Sequence, residues 1–296
     1  MNSFVIEEYL SDLNINENSK KGYLYDLNTF FLFIKERNSF DESSHNLESE
    51  LNLFKGLNNI DMYAYIDYLK SSLSNSDKTI ARKLSAVKNL YKYLNKKYSF
   101  NNEIITFKFK YDNTSFNNEV LSDKQIKELI EYTKNNEPLK NQIIIFLILF
   151  NGLTVKELKN IKIKDIYENS IVIDSNGENE RIIKINDALR AILSDFLNPV
   201  DQLYLLKGRN NQPITERRIQ EVVKNALSKI GINKKGISTG ILRNTSVKMI
   251  KEYNSAGFTD IKNFLGIKTD KQVEKYLKDS NELNELDMNK NPFSKF

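Results

Sequence analysis

Apolar residues recur at helical spacing through the first hundred positions. In KKGYLYDLNTFFLFIKE, roughly 20–36, Tyr23, Leu27, Phe30, Phe31 and Ile34 share one face, which predicts a strong helix. EEYLSDL is a short amphipathic piece, and IDMYAYIDYLKSSL, 60–73, reads as another helix. Asn75-Ser76-Asp77 can cap a further helix over 78–98. The polar stretch 38–56 reads as a loop or marginal helix, with His45 as a surface residue, and 99–120 reads as an extended linker.

Helical periodicity resumes at LSDKQIKELIEY, with Ser122 as N-cap. NQIIIFLILFNG, 141–152, has the pattern of a buried helix ending at Gly152, and TVKELKNI adds a short one. Residues 165–185 alternate instead with period two about Asn176-Gly177, predicting a hairpin. NDALRAILSDFL, TERRIQEVVKNALSKIG, ILRNTSVKMIKEYN, AGFTDIKNFLG (256–266) and DKQVEKYLK (270–278) follow as helices, then a polar tail.

Charge adds a second layer. The chain of 296 residues carries a net charge of +5, and its distribution says more than its sum. Residues 78–97 hold Lys78, Arg82, Lys83, Lys88, Lys92, Lys96 and Lys97 and no acidic residue. On a helical wheel Ile80, Leu84, Val87, Leu90, Tyr91 and Leu94 fall on one side, and Lys78, Arg82, Lys88, Lys92 and Lys96 on the other. A solvated helix face usually mixes signs to gain i,i+4 pairs, so a face without acids points to phosphate contact. A merely solvated face is the alternative.

Composition removes several chemistries. The absence of cysteine excludes disulfides and thiolate metal sites. A single histidine in a polar stretch argues against a histidine-based zinc site and a Ser-His-Asp triad. The apolar run IIIFLILF, 143–150, has the length of a core helix, not of a membrane span, and MNSFVIEEYLSDL lacks the pattern of a signal peptide.

The order of these segments resembles the tyrosine recombinases, the family of phage integrases and Xer-type resolvases. Residues 7–34 and 66–94 resemble the core-binding domain. LSDKQIKELI, FLILFNGLTVKELKNIKIKDI, the hairpin, ITERRIQEVVKNALSKIGI, TGILRNTSVKMI and LGIKTDKQVEKYL resemble, in order, the catalytic domain over 121–285. In that family a tyrosine attacks a DNA phosphodiester and two arginines bracket the phosphate. A hairpin lysine protonates the leaving oxygen, and histidines assist. The resemblance places Arg243 at the arginine of HxLRH, within Gly240-Ile241-Leu242-Arg243-Asn244, and Tyr276 at the nucleophile, nine residues beyond Ile267.

Four positions depart from the pattern. The arginine of GLRxxEL is Thr154, the hairpin lysine falls near Asn176 with no lysine between 165 and 183, the leading histidine is Gly240, and LGH reads Leu265-Gly266-Ile267. Arg181 and Lys184 are assigned as contacts to the DNA backbone, with replacement of the missing lysine as the alternative. Arg217 and Arg218 open a helix as phosphate contacts, and Lys156 reads as a surface lysine.

The resemblance implies a mainly α fold. A helical, SAM-like core-binding domain over 1–105 is followed by a linker over 106–120 and an α-rich catalytic-type domain with a small hairpin or sheet over 121–296. Together they are expected to form a C-shaped clamp on duplex DNA. The implied partners are double-stranded DNA, further copies of the chain, and a partner recombinase or accessory protein. The tail 279–296 is expected to dock on a neighbouring subunit. No cofactor, metal or membrane is implied, and the expected location is the cytoplasm. Three readings follow: a DNA-binding family member with impaired or absent chemistry, an active atypical strand-transfer enzyme using Tyr276, and a helical interaction module without a DNA role. The basic face argues against the third.

Overall fold

The helical periodicity is realised in a computed structural model, which describes residues 3–41, 43, 45–110, 119–197, 202–233, 238–270, 273 and 287–295. The chain divides into two compact units, residues 1–115 and 116–296. The fold is mainly helical, and the sheet among the described residues has two strands.

In the first unit, α1 (Phe4–Asp12), α2 (Glu17–Arg37), α3 (Leu47–Gly56), α4 (Asn59–Ser71) and α5 (Asp77–Tyr98) enclose one core. Phe30, Phe31, Phe54, Tyr65 and Tyr91 are its largest fully buried side chains. The stretch read as a loop or marginal helix contains α3. The Asn46 side chain accepts from Ser49 N, and Ser49 Oγ accepts from Asn46 N, so both helix-end donors are satisfied.

His45 is not a surface residue. Its side chain is 5% exposed, and Nε2 lies 2.5 Å from Oε1 of the fully buried Glu50. Glu50 also accepts from the Ser3 hydroxyl and from Val5 N, which ties α1 to α3. A left-handed Ser99 (φ 54°) ends α5. Phe100, Ile104 and Phe107 then return to the core through a 3-10 turn, Glu103–Thr106, where an extended segment was expected.

In the second unit, α7 (Leu139–Asn151) is the central element, with every residue from Ile143 to Phe150 buried. Packed on it are α6 (Asp123–Asn136), α8 (Val155–Asn160), α9 (Asp187–Leu197), α10 (Glu216–Lys229) and α11 (Gly240–Asn254). Helix α12 (Phe258–Leu265) closes a smaller apolar cluster with Val247, Ile250, Val273 and Met288. No helix among the described residues is long and apolar enough to cross a membrane.

The hairpin consists of β1 (Ser170–Ile173) and β2 (Arg181–Lys184), antiparallel, with Ile173 opposite Arg181. Its strands are shorter than a two-residue turn at Asn176-Gly177 requires. Asp174 and Asn176 adopt positive φ, and the Asp174 carboxylate accepts from Asn179 N, so local side-chain bonds round the tip into a seven-residue loop. The described part of the tail, 287–295, packs on its own unit. Asp287 N donates to Asn254 Oδ1, and the Phe293 ring meets Tyr253 edge-on. Residues 279–286 lie outside the described residues.

Candidate phosphate-binding site

Three elements bring charged side chains together at the N-terminal end of α8. Gly152 ends α7 in the left-handed conformation (φ +60°), turning the chain so that Thr154 caps α8. Thr154 is committed to that cap. Its Oγ1 accepts from Glu157 N, while its N and Oγ1 donate to Glu157 Oε2 at 2.7 and 2.8 Å. The other oxygen, Glu157 Oε1, lies 2.5 Å from Arg181 Nη1. Arg243, in the first turn of α11, approaches Oε2 at 3.7 Å.

Both arginines also bond to carbonyls. Arg243 donates from Nη1 to Gly152 O and from Nη2 to Leu265 O at 3.0 Å. Arg181 Nε donates to Phe264 O at 3.3 Å. Two adjacent carbonyls at the C-terminal end of α12 therefore hold the guanidiniums, where the helix dipole favours cations. Burial pushes the Glu157 carboxyl up, but the hydrogen bond and charge of Arg181 and the bonds from Thr154 pull it further down. It rests below the ordinary glutamate value.

Arg181, assigned from sequence as a contact to the DNA backbone, is largely buried. Its side chain is 10% exposed. It shares the inward face of β2 with buried Ile183, while Ile182 between them is 70% exposed. That period-two signal was present in the sequence. Glu157 was also missed as a functional residue, although Thr154-Val155-Lys156-Glu157 has the spacing of a capping box. Gly266 makes room for the arrangement: a Cβ there would stand 2.7 Å from Arg181 Nη1.

Other expected site positions are less engaged. Gly240 opens α11 after the N-cap Thr239, with its N–H bonded to the Ser238 hydroxyl. Ile267 packs against the α12 cluster. The hairpin tip bears Asp174, Glu178 and Glu180. Arg181, Lys184, Lys262 and Lys268 line a cavity of about 520 Å³ beside that tip, together with Glu178, Glu180 and Asp260. Tyr276 lies outside the described residues. Arg217 and Arg218 are exposed in the first turn of α10, both close to Glu221, at 3.1 and 3.6 Å.

The basic face of α5 is smaller than its sequence suggests, because its acidic partners sit on other helices. Arg82 and Lys83 pair with the buried Asp26 of α2. Lys97 lies between Glu8 and Asp12 of α1. Lys88 donates to Phe107 O at 2.8 Å and is half-buried. Lys78, Lys92 and Lys96 stay exposed along one stripe of the helix, without an ion pair among the described residues.

Comparison with known proteins places this geometry. The model described as "Phage integrase family" matches residues 119–282, and "Phage integrase, N-terminal SAM-like domain" matches 6–97. Tyrosine recombinase XerC of Caldanaerobacter subterraneus subsp. tengcongensis is 26% identical, across 98% of this chain and 87% of its own. Tyrosine recombinase XerD of Rickettsia conorii is 26% identical, across 83% of this chain and 84% of its own. The Tn1549 transposon integrase in complex with transposon right end DNA has a TM-score of 0.70 at 12% identity, covering 94% of each chain. XerH site-specific recombinase bound to difH substrate has a TM-score of 0.65 at 16% identity, covering 93% of this chain and 90% of its own. A lambda integrase dimer bound to a COC' core site has a TM-score of 0.68 at 13% identity, covering 96% and 98%. At those identities the structural likeness is one of fold, and the family rests on the matched models: this chain belongs to the phage integrase family of tyrosine recombinases.

Proposed function

We infer that this chain binds duplex DNA as a family member whose strand-transfer chemistry is impaired or absent. The observation that carries this reading is the hairpin tip. Where the family resemblance calls for a lysine to protonate the leaving oxygen, residues 174–180 hold three carboxylates and no lysine. Carboxylates at neutral pH neither donate that proton nor favour an approaching phosphate. Thr154, Gly240 and Ile267 remove an arginine and two histidines from the same pattern. Losing one preorganised donor typically costs about 10²–10³ in rate, and phosphodiester cleavage demands far more acceleration than the remainder supplies.

DNA binding is supported by the exposed stripe of Lys78, Lys92 and Lys96, by Arg217 and Arg218, and by the placement of Arg243. The related structures described on DNA, among them a lambda integrase dimer on its core site, support duplex DNA and self-assembly as the context. A partner recombinase or accessory protein belongs to the same proposal as the source of missing groups. The clamp arrangement and a cytoplasmic location are part of it.

A second reading, an active atypical strand-transfer enzyme with Tyr276 as nucleophile, is favoured by one observation. Arg181 and Arg243 converge on Glu157 even though Thr154 has no positive charge. Titration of a labelled duplex tests the shared part of both readings. Arg243→Lys is expected to bind about tenfold more weakly than the parent, since an ammonium cannot fork onto a phosphate. Equal affinity in the two proteins contradicts a phosphate role for Arg243.

A further inference from the structure

Residues 106–110 run beside α4 in the first unit, and their side chains alternate. Phe107 is buried and Phe109 half-buried, while Lys108 and Lys110 are exposed. That is the period of two of a chain with one face on a core. The inward rings are held in place. Phe107 meets Tyr63 of α4 edge-on, with ring centroids 5.0 Å apart, and the ammonium of Lys70 stands 5.7 Å from the centre of the Phe109 ring. Lys88 of α5 fixes the backbone by donating to Phe107 O at 2.8 Å.

Tyr63 nevertheless stays 61% exposed. It borders a cavity of about 650 Å³ that it shares with Asn59, Ile66, Phe107, Lys108 and Lys110. Pockets of roughly 300–1,000 Å³ are the ones that take small ligands. No carboxylate lines this one. Of the acids on the same elements, Glu103 accepts from Asn59 N, Asp61 pairs with Arg37, and Asp67 stands outside the lining. Lys108 and Lys110 have no ion pair among the described residues. An accessible ring beside two unneutralised ammoniums suits a ligand that is both planar and anionic.

We propose that this cavity binds an unpaired DNA strand, with one base stacked on Tyr63 and the adjoining phosphates on Lys108 and Lys110. A base inside a duplex has both faces covered by its neighbours, so a stacking ring selects a strand that has left the helix. The two lysines supply charge without reading sequence. The inference rests on the DNA-binding reading and extends it to a second form of DNA, held by residues other than the duplex contacts assigned above. An acidic peptide shares the charge of such a strand but brings no base to the ring, so Tyr63 decides for nucleic acid.

The test separates base from phosphate. A fluorescein-labelled thymidine dodecamer, an abasic strand with the same number of phosphates, and a labelled duplex are each titrated into the parent, Tyr63→Leu, and Lys108→Gln with Lys110→Gln. The parent is expected to bind the dodecamer about tenfold more tightly than the abasic strand, the worth of one stacked base. Tyr63→Leu should remove that preference and leave duplex affinity unchanged. In the double lysine variant the slope of log affinity against log salt for the dodecamer should fall by about 1.4, the loss of two single-strand phosphate contacts.

Equal binding of the dodecamer and the abasic strand by the parent overturns the proposal, as does a preference that survives Tyr63→Leu. Hexaglutamate that displaces the dodecamer at equal concentration assigns the surface to an acidic peptide and overturns it too. If Tyr63→Leu does not fold, Tyr63→Trp gives a second readout, because the chain has no other tryptophan. Its fluorescence should be quenched by the dodecamer and not by the abasic strand, and an equal response to both overturns the proposal. A parent that binds the dodecamer through Tyr63 but no duplex defeats the duplex reading alone.

Discussion

Glu157 has a depressed carboxyl pKa in the folded chain, so its contribution to stability has a defined sign with pH. It is present above the ordinary unfolded glutamate value of about 4.3 and is lost as pH falls through the lower folded value. Melting temperatures from pH 7 to 3 should therefore show an acid-side loss that Glu157→Gln diminishes. An identical acid limb in parent and variant contradicts the depressed carboxyl. Gly266 is the second residue whose role can be isolated. It combines φ +63° with contact to Arg181, so Gly266→Ala is expected to destabilise the protein by about 1–3 kcal/mol in urea denaturation. No loss would mean that the loop and Arg181 relax freely. Arg243 and Thr154 were legible in the sequence because their motifs are local. The inward direction of Arg181 was less so, since it depends on which face of β2 the core covers.

At the scale of elements, long amphipathic helices such as α2 and α5 were legible from their apolar spacing. Helix α3 was legible only as a loop or marginal helix, because a polar cap and the bonds of Glu50 to Ser3 and His45 across the unit support it beside the buried Phe54. The hairpin existed where alternation placed it, but Asp174 and Asn176 reshaped its tip through bonds that a two-residue turn pattern does not include. Helix α5 shows the limit most clearly. Residues 78–97, which lack an acid, suggested an available basic face, whereas acids on α1 and α2 occupy Arg82, Lys83 and Lys97. Charge reversal at Lys78, Lys92 and Lys96 together is expected to weaken duplex binding and lower the salt slope by about 2–3, as three phosphate contacts require. Folding should be little affected, because all three side chains are exposed. A duplex titration with unchanged affinity and slope would remove α5 as a DNA contact.

At the scale of the molecule, each unit closes its own apolar core, and in the second the tail returns to seal it through Met288 and Phe293. The order of segments made the two-part organisation readable from sequence, since no single block was needed to carry it. The tail's packing was not readable, because Asn289 and Asn291 engage backbone and side chains far away in the sequence, at Asp187 and Met249. The central claim is a family member that holds duplex DNA while lacking the proton-transfer groups that cleavage needs. Its most direct test uses nicked suicide duplexes carrying sequences enriched for binding from a random pool, incubated with the parent protein and with Tyr276→Phe. A retained non-covalent complex and no denaturant-resistant protein–DNA adduct are expected with either protein. An adduct formed by the parent and lost in Tyr276→Phe would contradict it.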